Sequence, residues 1–352
     1  MSSKSLNRGL QSNHTMLSEK VAALSNPNIY ALADDQIIST IETHMSWVFL
    51  TPEHAFKLKK PVHKDCLDFI TLGKRHFFCQ EEIRLNRRLA ADTYIETLAL
   101  RQQTSGQYTL SGKGGIVDYL VKMNRLPAQK MLDYLIAKQA VTAQDLAAIT
   151  SILVNFFKQA KVIPITPQRY QKKFTTVIQA TALKISSLDY GLPEALVESL
   201  RTALISFATP PQSLLIDRAI NGHIVDGHGD LRAEHVYLGT SIQIIDCIEF
   251  SEQLRQNDPL DEVAFLAMEF ERLNAKPLGN LLLEQYQQTS GDSVSPELIS
   301  FYQCYRAYIR ARLAIEHLDD FAVNNPQHWR DVAQNYLLCA KQKSEGFSAS
   351  NE

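Results

Sequence analysis

The sequence lacks the features that mark several large classes of protein. No apolar run approaches the roughly 18 residues that a membrane-spanning helix needs, and the first twenty residues have no apolar core like that of a secretion signal. The 36 Lys and Arg are matched by 38 Asp and Glu, so no basic field predicts nucleic-acid binding. The five cysteines are odd in number and lack CxxC spacing, which favours a reducing compartment over a disulfide frame or zinc site. We therefore expect a cytoplasmic protein that binds neither membrane nor nucleic acid.

Two common catalytic motifs are also missing. The chain contains no GxxxxGK[ST] phosphate-binding loop and no GxSxG nucleophile turn, so P-loop and α/β-hydrolase folds have no support. The content of apolar residues (45%) and charged residues (21%) is ordinary for a globular protein. At 352 residues, the chain is long enough for two lobes.

The pattern of apolar residues changes near Pro127. Before it, strand patterns predominate, with one helical stretch at 72–91; after it, helical periodicity runs almost throughout, interrupted by strand patterns at 235–238 and 242–245. This order predicts an α+β protein without βαβ winding. We predict a tail at 1–20, a β-rich lobe at 21–124, a helical lobe at 125–345 and a second tail at 346–352.

The two late strand patterns flank a turn at 239–241 and form a candidate hairpin with ionisable groups at its ends. His228, Asp230 and His235 precede it, and Asp246 follows it. Phosphoryl transfer needs a carboxylate to orient the attacking hydroxyl and further ligands to hold a divalent ion on the nucleotide. The order and spacing match the kinase pattern H-R-D-x4-N followed by the Asp of D-F-G, except that His235 stands in place of Asn. The alternatives are a polar loop that caps helices, and a metal-dependent hydrolase that uses both histidines and Asp230 as ligands.

A lysine on a strand and a glutamate on the next helix complete the kinase pattern. Such a site needs an ammonium group near the nucleotide phosphates and a helical carboxylate that holds it in place. Lys57 and Glu82 fit that order, although Lys59 shares the face of Lys57 and Glu81 adjoins Glu82, so both assignments stay open. The alternative is a solvated basic strand edge.

A third acidic stretch, NDPLDEVA, begins directly after the hairpin. Asp258 and Pro259 are typical of a helix start, and Asp261 suits the positive end of the helix dipole. Capping explains Asp258, whereas a functional interpretation makes this turn a brace for the backbone around Asp230.

Taken together, these motifs resemble the aminoglycoside-phosphotransferase-like branch of the protein-kinase-like fold. The resemblance extends over roughly residues 28 to 340 and includes a bacterial subgroup often fused to a P-loop kinase-like domain. Its segments are THMSWVFLTPEHAFKLKKPV (43–62), EEIRLNRRLAADTY (81–94), VKMNRL (121–126), HGDLRAEH (228–235), IIDCIEF (244–250), NDPLDEVA (257–264) and YRAYIRARL (305–313).

The resemblance implies a bilobal fold and ATP-dependent phosphoryl transfer to a hydroxyl of a small molecule. It makes Asp230 the catalytic base with His228, Asp258 and Asp261 in support, and Asp246 and His235 the ligands of Mg²⁺. Imidazole favours Mn²⁺ more than an amide oxygen does. It makes Lys57 the phosphate-contacting lysine, Glu82 its partner, Lys122 and Met123 the adenine-binding strand end, and Ser46 a phosphate-covering residue, because THMSW contains no glycine. The resemblance does not decide whether the nucleotide is ATP or GTP, or whether a separate P-loop kinase-like protein is a partner. The alternative function is a catalytically weak pseudokinase that binds nucleotide as a regulatory module.

Overall fold

The computed structural model describes residues 16–64, 66–210, 213–319 and 325–348. The tails predicted at 1–20 and 346–352 therefore lie partly outside the described residues. The described residues form two compact units: the first runs to residue 128 and includes 243–252, and the second comprises the remainder. The predicted α+β class is confirmed, with antiparallel strands before Pro127 and mostly helices after it. Within the described residues, no helix is both long and apolar enough to cross a bilayer.

The first unit is built on a six-stranded antiparallel sheet with the order β1-β2-β3-β8-β6-β7. Helix α1 covers 16–24, and helix α2 (Leu72–Asn86) begins at its N-cap Thr71, whose side chain accepts from the amide of Lys74. The strands are β1 (Ser39–Glu42), β2 (Ser46–Leu50), β3 (His54–Lys59), β4 (His63–Lys64), β5 (Leu67–Asp68), β6 (Tyr94–Gln102), β7 (Tyr108–Thr109) and β8 (Gly115–Asn124).

Alternation along β3 gives the sheet its two different faces. Phe56 and Leu58 point into an apolar cluster that includes Leu24 of α1, and both are almost fully buried. Lys57 lies opposite Val121 of β8, which belongs to a second cluster formed with α2. One face of β3 is thus apolar, while its other face places lysines beneath a helix.

The second unit is helical with short strand pairs. Its helices, together with the short α8 at the boundary of the two units, are α3 (Leu132–Ala137), α4 (Ala143–Gln159), α5 (Pro167–Ile185), α6 (Glu194–Ala208), α7 (Leu214–Ile220), α8 (Glu252–Arg255), α9 (Pro259–Arg272), α10 (Lys276–Ser290), α11 (Pro296–Glu316) and α12 (Pro326–Ser348). The short strands after Pro127 are β9 (Val225–Asp226), β10 (Val236–Leu238), β11 (Ile242–Ile244) and β12 (Gln256–Asn257). Both strands expected around the turn at 239–241 are present, as β10 and β11.

Helix α9 is the centre of this unit, because it is buried on every side from Pro259 to Phe270. Its start is fixed by Asp258, whose carboxylate accepts from the amide of Leu260 at 2.9 Å, and by Pro259 at the first position. A buried helix can carry acidic side chains only if each has a partner. The acidic side chains of its first turn therefore indicate where polar chemistry is concentrated.

Candidate active site

Two lysines of β3 share one carboxylate of α2. The Nζ of Lys57 lies 2.9 Å from Oε1 of Glu82 and 2.8 Å from Oδ1 of Asp246. The Nζ of Lys59 lies 2.5 Å from Oε2 of Glu82 and also pairs with Glu249. Because residues 57 and 59 are two apart on a strand, both ammonium groups reach the same face. The result is a chain of alternating charges in the order Asp246, Lys57, Glu82, Lys59, Glu249.

The charges in this chain stabilise one another against burial. Burial lowers the pKa of Lys57, but the carboxylates of Asp246 and Glu82 raise that pKa well above its ordinary value. For Glu82, burial raises the pKa, and the two lysines more than offset it, so the pKa is lowered. Both groups are therefore charged at neutral pH.

The backbone amides of residues 246 and 247 are bound by side chains from other parts of the first unit. The amide of Asp246 donates to the hydroxyl of Tyr94 at 3.1 Å, and the amide of Cys247 donates to Oδ1 of Asn86 at 2.8 Å. Asp246 itself has φ 63, a left-handed conformation that few non-glycine residues adopt. Such strain is kept where surrounding contacts over-determine it, often at functional sites.

The contacts distinguish the neighbouring residues that the sequence could not separate, namely Glu81 from Glu82 and Lys57 from Lys59. Glu81 is directed away from the lysines and binds Arg84 at 2.8 and 2.7 Å, so Glu82 is the lysine-binding carboxylate. Lys59 is completely buried, whereas 16% of the Lys57 side chain is exposed and 45% of that of Asp246. Both lysines contact Glu82, but only Lys57 adjoins the partly exposed Asp246.

Three predicted nucleotide-contacting residues lie elsewhere on the sheet. Ser46 is buried at the start of β2, and its amide and that of Met45 both donate to the hydroxyl of Thr43. Lys122 lies near the end of β8 with its Nζ 3.8 Å from Glu96, and Met123 packs against the apolar cluster under α2. The amides of residues 45 and 46 therefore already have an acceptor, and the roles of these three residues stay predictions.

In the second unit, Glu262 holds the backbone that leads to Asp230. Its carboxylate accepts from the amide of His228 at 2.9 and 3.0 Å and from that of Gly229 at 2.8 Å. Gly229 has φ 92, which favours glycine. Arg306 adds a contact by donating to the carbonyl of Gly229 at 3.2 Å while forming a two-pronged pair with Asp261 at 2.7 Å. The first turn of α9 thus fixes the loop from both sides.

Asp230 lies in a group of cations. Nε of Arg232 donates to its Oδ2 at 3.0 Å, and 25% of the Asp230 side chain is exposed. Burial raises the pKa of Asp230, but the guanidinium charges of Arg232 and Arg310 contribute to outweighing it, and the pKa lies well below its usual range. Asp230 is therefore a carboxylate at neutral pH, the form that can accept a proton.

The contacts of His235 determine which ring nitrogen carries its hydrogen. Its Nδ1 lies 2.9 Å from the carbonyl oxygen of Asp230, which can only accept, so Nδ1 is the donor. Its Nε2 lies 3.1 Å from Nη2 of Arg232, which can only donate, so Nε2 carries the lone pair. A histidine that ligates a metal is oriented in the same way, with its other nitrogen donating to a carbonyl.

Asp258 has a structural role besides capping α9. It forms a two-pronged pair with Arg218 at 2.6 and 2.7 Å and accepts from the hydroxyl of Tyr302 at 3.0 Å. Arg218 also binds Asp292 at 2.6 Å. Asp258 therefore ties α7 and α11 to the start of α9, whereas Glu262 contacts the loop of Asp230 directly and Asp261 does so through Arg306.

Comparison with solved structures gives the fold. The match to a choline kinase from Cryptosporidium parvum covers 96% of this chain and 97% of the kinase chain, with a TM-score of 0.54 and 10% identity. A thermostable mutant of an aminoglycoside phosphotransferase, solved with AMP-PNP and hygromycin B, covers 93% and 99%, with a TM-score of 0.53 and 13% identity. The chain has the protein-kinase-like fold. The predicted resemblance is thus confirmed at the level of fold.

Sequence relatives of this kinase-like chain carry no described activity. Uncharacterized proteins of Mycobacterium bovis and Mycobacterium tuberculosis are each 29% identical over 322 residues, which are 89% of this chain and 61% of the relative. The chain therefore spans about three fifths of the length of the curated relatives it matches. No family model matches the sequence.

The two predicted metal ligands lie in different units, and each carries a donor atom of a kind that binds divalent ions. Asp246 has a partly exposed carboxylate that also binds Lys57, and Nε2 of His235 has a lone pair that accepts from Arg232. Among the described residues, no three His, Cys, Asp or Glu side chains are grouped to hold a metal ion. Mg²⁺ at phosphate-transfer sites commonly takes only one or two protein carboxylates and completes its shell with phosphates and water.

Sequence reasoning missed several residues of this site. Glu262, Arg232 and Asn86 make contacts that fix either the Asp230 loop or the segment after Asp246. Glu262 lies in the DPLDE stretch, where a third acidic residue in the first turn was the available signal. Asn86 gives none, since its partner Cys247 is 161 residues away.

Proposed function

We propose that the chain is an ATP-dependent phosphotransferase that acts on a hydroxyl group of a small molecule. The observation that carries the proposal is the partly exposed Lys57 held between Glu82 and Asp246. A lysine at this place on the sheet, with a helical glutamate and an acidic metal ligand, is the arrangement that binds nucleotide phosphates in kinases. The phosphotransferases of the same fold named above support it, and one of them was solved with a nucleotide analogue.

The proposed step divides its tasks between the two predicted lobes. Asp230 accepts the proton of the acceptor hydroxyl while the acceptor oxygen bonds to the γ-phosphorus and the bond to the bridging oxygen of ADP breaks. Lys57 binds the nucleotide phosphates, and residues 21–124 form the nucleotide-binding lobe. Residues 125–345 supply Asp230 and the acceptor site. Lys122 and Met123 are assigned to the adenine, and Ser46 to the segment over the phosphates.

We assign the divalent ion to Asp246 and His235. Such an ion neutralises charge that develops on the phosphate oxygens. The Nδ1 donor bond from His235 to the Asp230 carbonyl supports this assignment, because it leaves Nε2 as the lone-pair nitrogen. With one imidazole ligand, we expect Mn²⁺ to be accepted at least as well as Mg²⁺. A cytoplasmic location and a separate P-loop kinase-like partner are further sequence-based proposals.

The test compares the wild type with Asp230→Asn, which keeps the shape of the side chain but removes the base. ATP or GTP is supplied with Mg²⁺ or Mn²⁺, and ADP or GDP formation is measured across a panel of small hydroxyl compounds, with nucleotide affinity measured separately. We expect acceptor-dependent turnover in the wild type only, with equal nucleotide affinity. Equal background turnover in both proteins would contradict the enzyme proposal.

A second candidate is a nucleotide-binding regulatory module with weak or no catalysis. Arg232 favours it, because its guanidinium contacts both the Asp230 carboxylate and Nε2 of His235, the two groups that catalysis requires. The same experiment separates the candidates. Nucleotide affinity that depends on Lys57, without turnover of any acceptor by wild type or Arg232→Ala, would favour the module.

A further inference from the structure

Arg310 of α11 belongs to the charged groups that act on Asp230, since its positive charge helps to lower the pKa of that carboxyl. Nε of Arg310 is buried and has no hydrogen-bond acceptor, as is also true of Nε of Arg312, while the Arg310 guanidinium donates to the hydroxyl of Tyr336. A buried donor without an acceptor costs roughly 1–3 kcal/mol. An ion or a water molecule that supplies the acceptor is one explanation for such a group.

The other charged groups around Arg310 already have partners. Arg232 pairs with Asp230 and Glu234, and Arg272 pairs with Glu269 at 3.0 Å. Of these three arginines, Arg310 alone has a buried nitrogen without an acceptor, so it is the one that can add a hydrogen bond to an anion.

The guanidinium of Arg310 is also held in place. It lies 5.7 Å from the centre of the Tyr336 ring, and the guanidinium of Arg272 lies 5.6 Å from the same ring. The hydroxyl of Tyr336 donates to Glu269 at 2.8 Å, which fixes the ring. A guanidinium oriented by an aromatic face loses little freedom when it binds a planar or tetrahedral anion.

We propose that Arg310 binds an anionic group, phosphate or carboxylate, on the acceptor whose hydroxyl is phosphorylated at Asp230. The proposal rests on the proposed function and names its substrate class. Arginine forks match both anions geometrically. Solved kinases of the same fold are named for choline and ethanolamine, which are cations. An anionic acceptor would therefore distinguish this chain from those kinases.

Matched pairs of acceptors test the charge requirement. Glycerol 3-phosphate and D-glycerate are compared with glycerol, and D-glucose 6-phosphate with D-glucose, while choline, ethanolamine and hygromycin B serve as cationic comparators. ADP formation is expected with at least one phosphate- or carboxylate-bearing compound, at roughly tenfold or greater kcat/KM than with its neutral counterpart. The pairs also tell whether phosphate or carboxylate is preferred. Turnover confined to neutral or cationic compounds would overturn the proposal and leave the phosphotransferase function intact.

Variants of α11 test the residue. Arg310→Met is expected to raise KM for the anionic acceptor by roughly tenfold or more with unchanged nucleotide affinity, and Arg310→Lys by less, because it keeps the charge but not the fork. Arg312→Met is the matched control, since it removes the same charge and another buried Nε without a hydrogen-bond acceptor from the same helix, but at Arg312 a Glu316 carboxylate oxygen lies 3.5 Å from that Nε. Equal effects of Arg310→Met and Arg312→Met would overturn the assignment.

A binding measurement separates this proposal from the proposed function. Calorimetric titration of the nucleotide-free chain with inorganic phosphate, glycerol 3-phosphate and glycerol requires no turnover. Binding of the two anions that is lost in Arg310→Met and kept in Arg312→Met supports the anion site even if no acceptor is phosphorylated. Absence of anion binding in the wild type overturns it even if ATP is turned over.

Discussion

The ammonium nitrogen of Lys59 lies 2.5 Å from Oε2 of Glu82, and both side chains are completely buried. Glu82 binds Lys57 through its other oxygen. The carboxylate that would position the phosphate-binding lysine is therefore itself held by a second lysine, which solvent does not reach. We infer that the role of Lys57 is to bind the nucleotide phosphates, and that the role of Lys59 is to hold Glu82 in position.

Lys59→Met should destabilise the protein strongly. It leaves Glu249 buried without its lysine and Glu82 with only one, and loss of one partner of a buried ion pair typically costs about 3–5 kcal/mol. The free energy of unfolding in urea measures this. Lys60→Met is the control, because Lys60 pairs with the exposed Glu42 and its loss should cost no more than about 1 kcal/mol. Equal losses of unfolding free energy in the two variants would show that the buried ion pairs of Lys59 stabilise the protein no more than the ion pair of Lys60 does.

Lys57→Met should affect activity more than stability. Glu82 keeps Lys59 and Asp246 is half exposed, so fewer buried charges are left unpaired than in Lys59→Met. Loss of one positioned electrostatic donor lowers kcat on the order of 10²-fold. Turnover and urea unfolding of both variants are compared. A larger loss of stability in Lys57→Met than in Lys59→Met would contradict the division of roles.

The loop of Asp230 should depend on Glu262 for its position. Glu262→Ala removes the acceptor of two backbone amides, whereas Glu262→Gln keeps one carbonyl oxygen, so kcat should fall in the order wild type, Gln, Ala. Gly227→Ala should resemble Glu262→Ala, because a Cβ at residue 227 would collide with the Glu262 carboxylate. Nucleotide affinity should not change in any of the three. A fall in nucleotide affinity that matches the fall in kcat would indicate general unfolding instead.

Lys173 should make stability depend on pH. Burial lowers its pKa to about 8, while its Nζ donates to the carbonyl of Gln256 and to Oδ1 of Asn257, both at 2.7 Å. The folded-state pKa lies below the unfolded value of about 10.5, so between pH 8 and 10.5 the unfolded chain binds more protons and this residue makes stability rise with pH. Other groups titrate there too, so the difference in unfolding free energy between wild type and Lys173→Met is the quantity to measure. A difference that stays constant from pH 7.5 to 10.5 would contradict the lowered pKa.

Sequence patterns could predict the parts of this fold that depend on local periodicity. Strands β2 and β6 and the change to helices near Pro127 follow from alternation and helical period. Strand β1 has all four residues exposed and thus no alternation of burial to detect. The packing of 243–252 with the first unit depends on partners such as Asn86 and Lys59, which lie more than 150 residues away in the chain.

The candidate site shows the same division. Spacing indicated Asp230 and Asp246, and the order of a strand lysine before a helical glutamate indicated Lys57 or Lys59. It could not choose between Glu81 and Glu82, because neighbouring residues of a helix differ only in direction, and packing decides that direction. Nor could it fix the tautomer of His235, which depends on a carbonyl and a guanidinium in the folded loop.

The left-handed backbone at Asp246 subjects this one position to two independent requirements. The conformation admits chiefly Gly, Asn and Asp, since a β-branched or bulky side chain there is strained. The proposed metal contact admits only a carboxylate. In a saturation library scored separately for abundance and for turnover, residue 246 should therefore accept Gly and Asn in the abundance score and Asp alone in the turnover score. That difference between the two scores would record the boundary between what the chain needs to fold and what it needs to react.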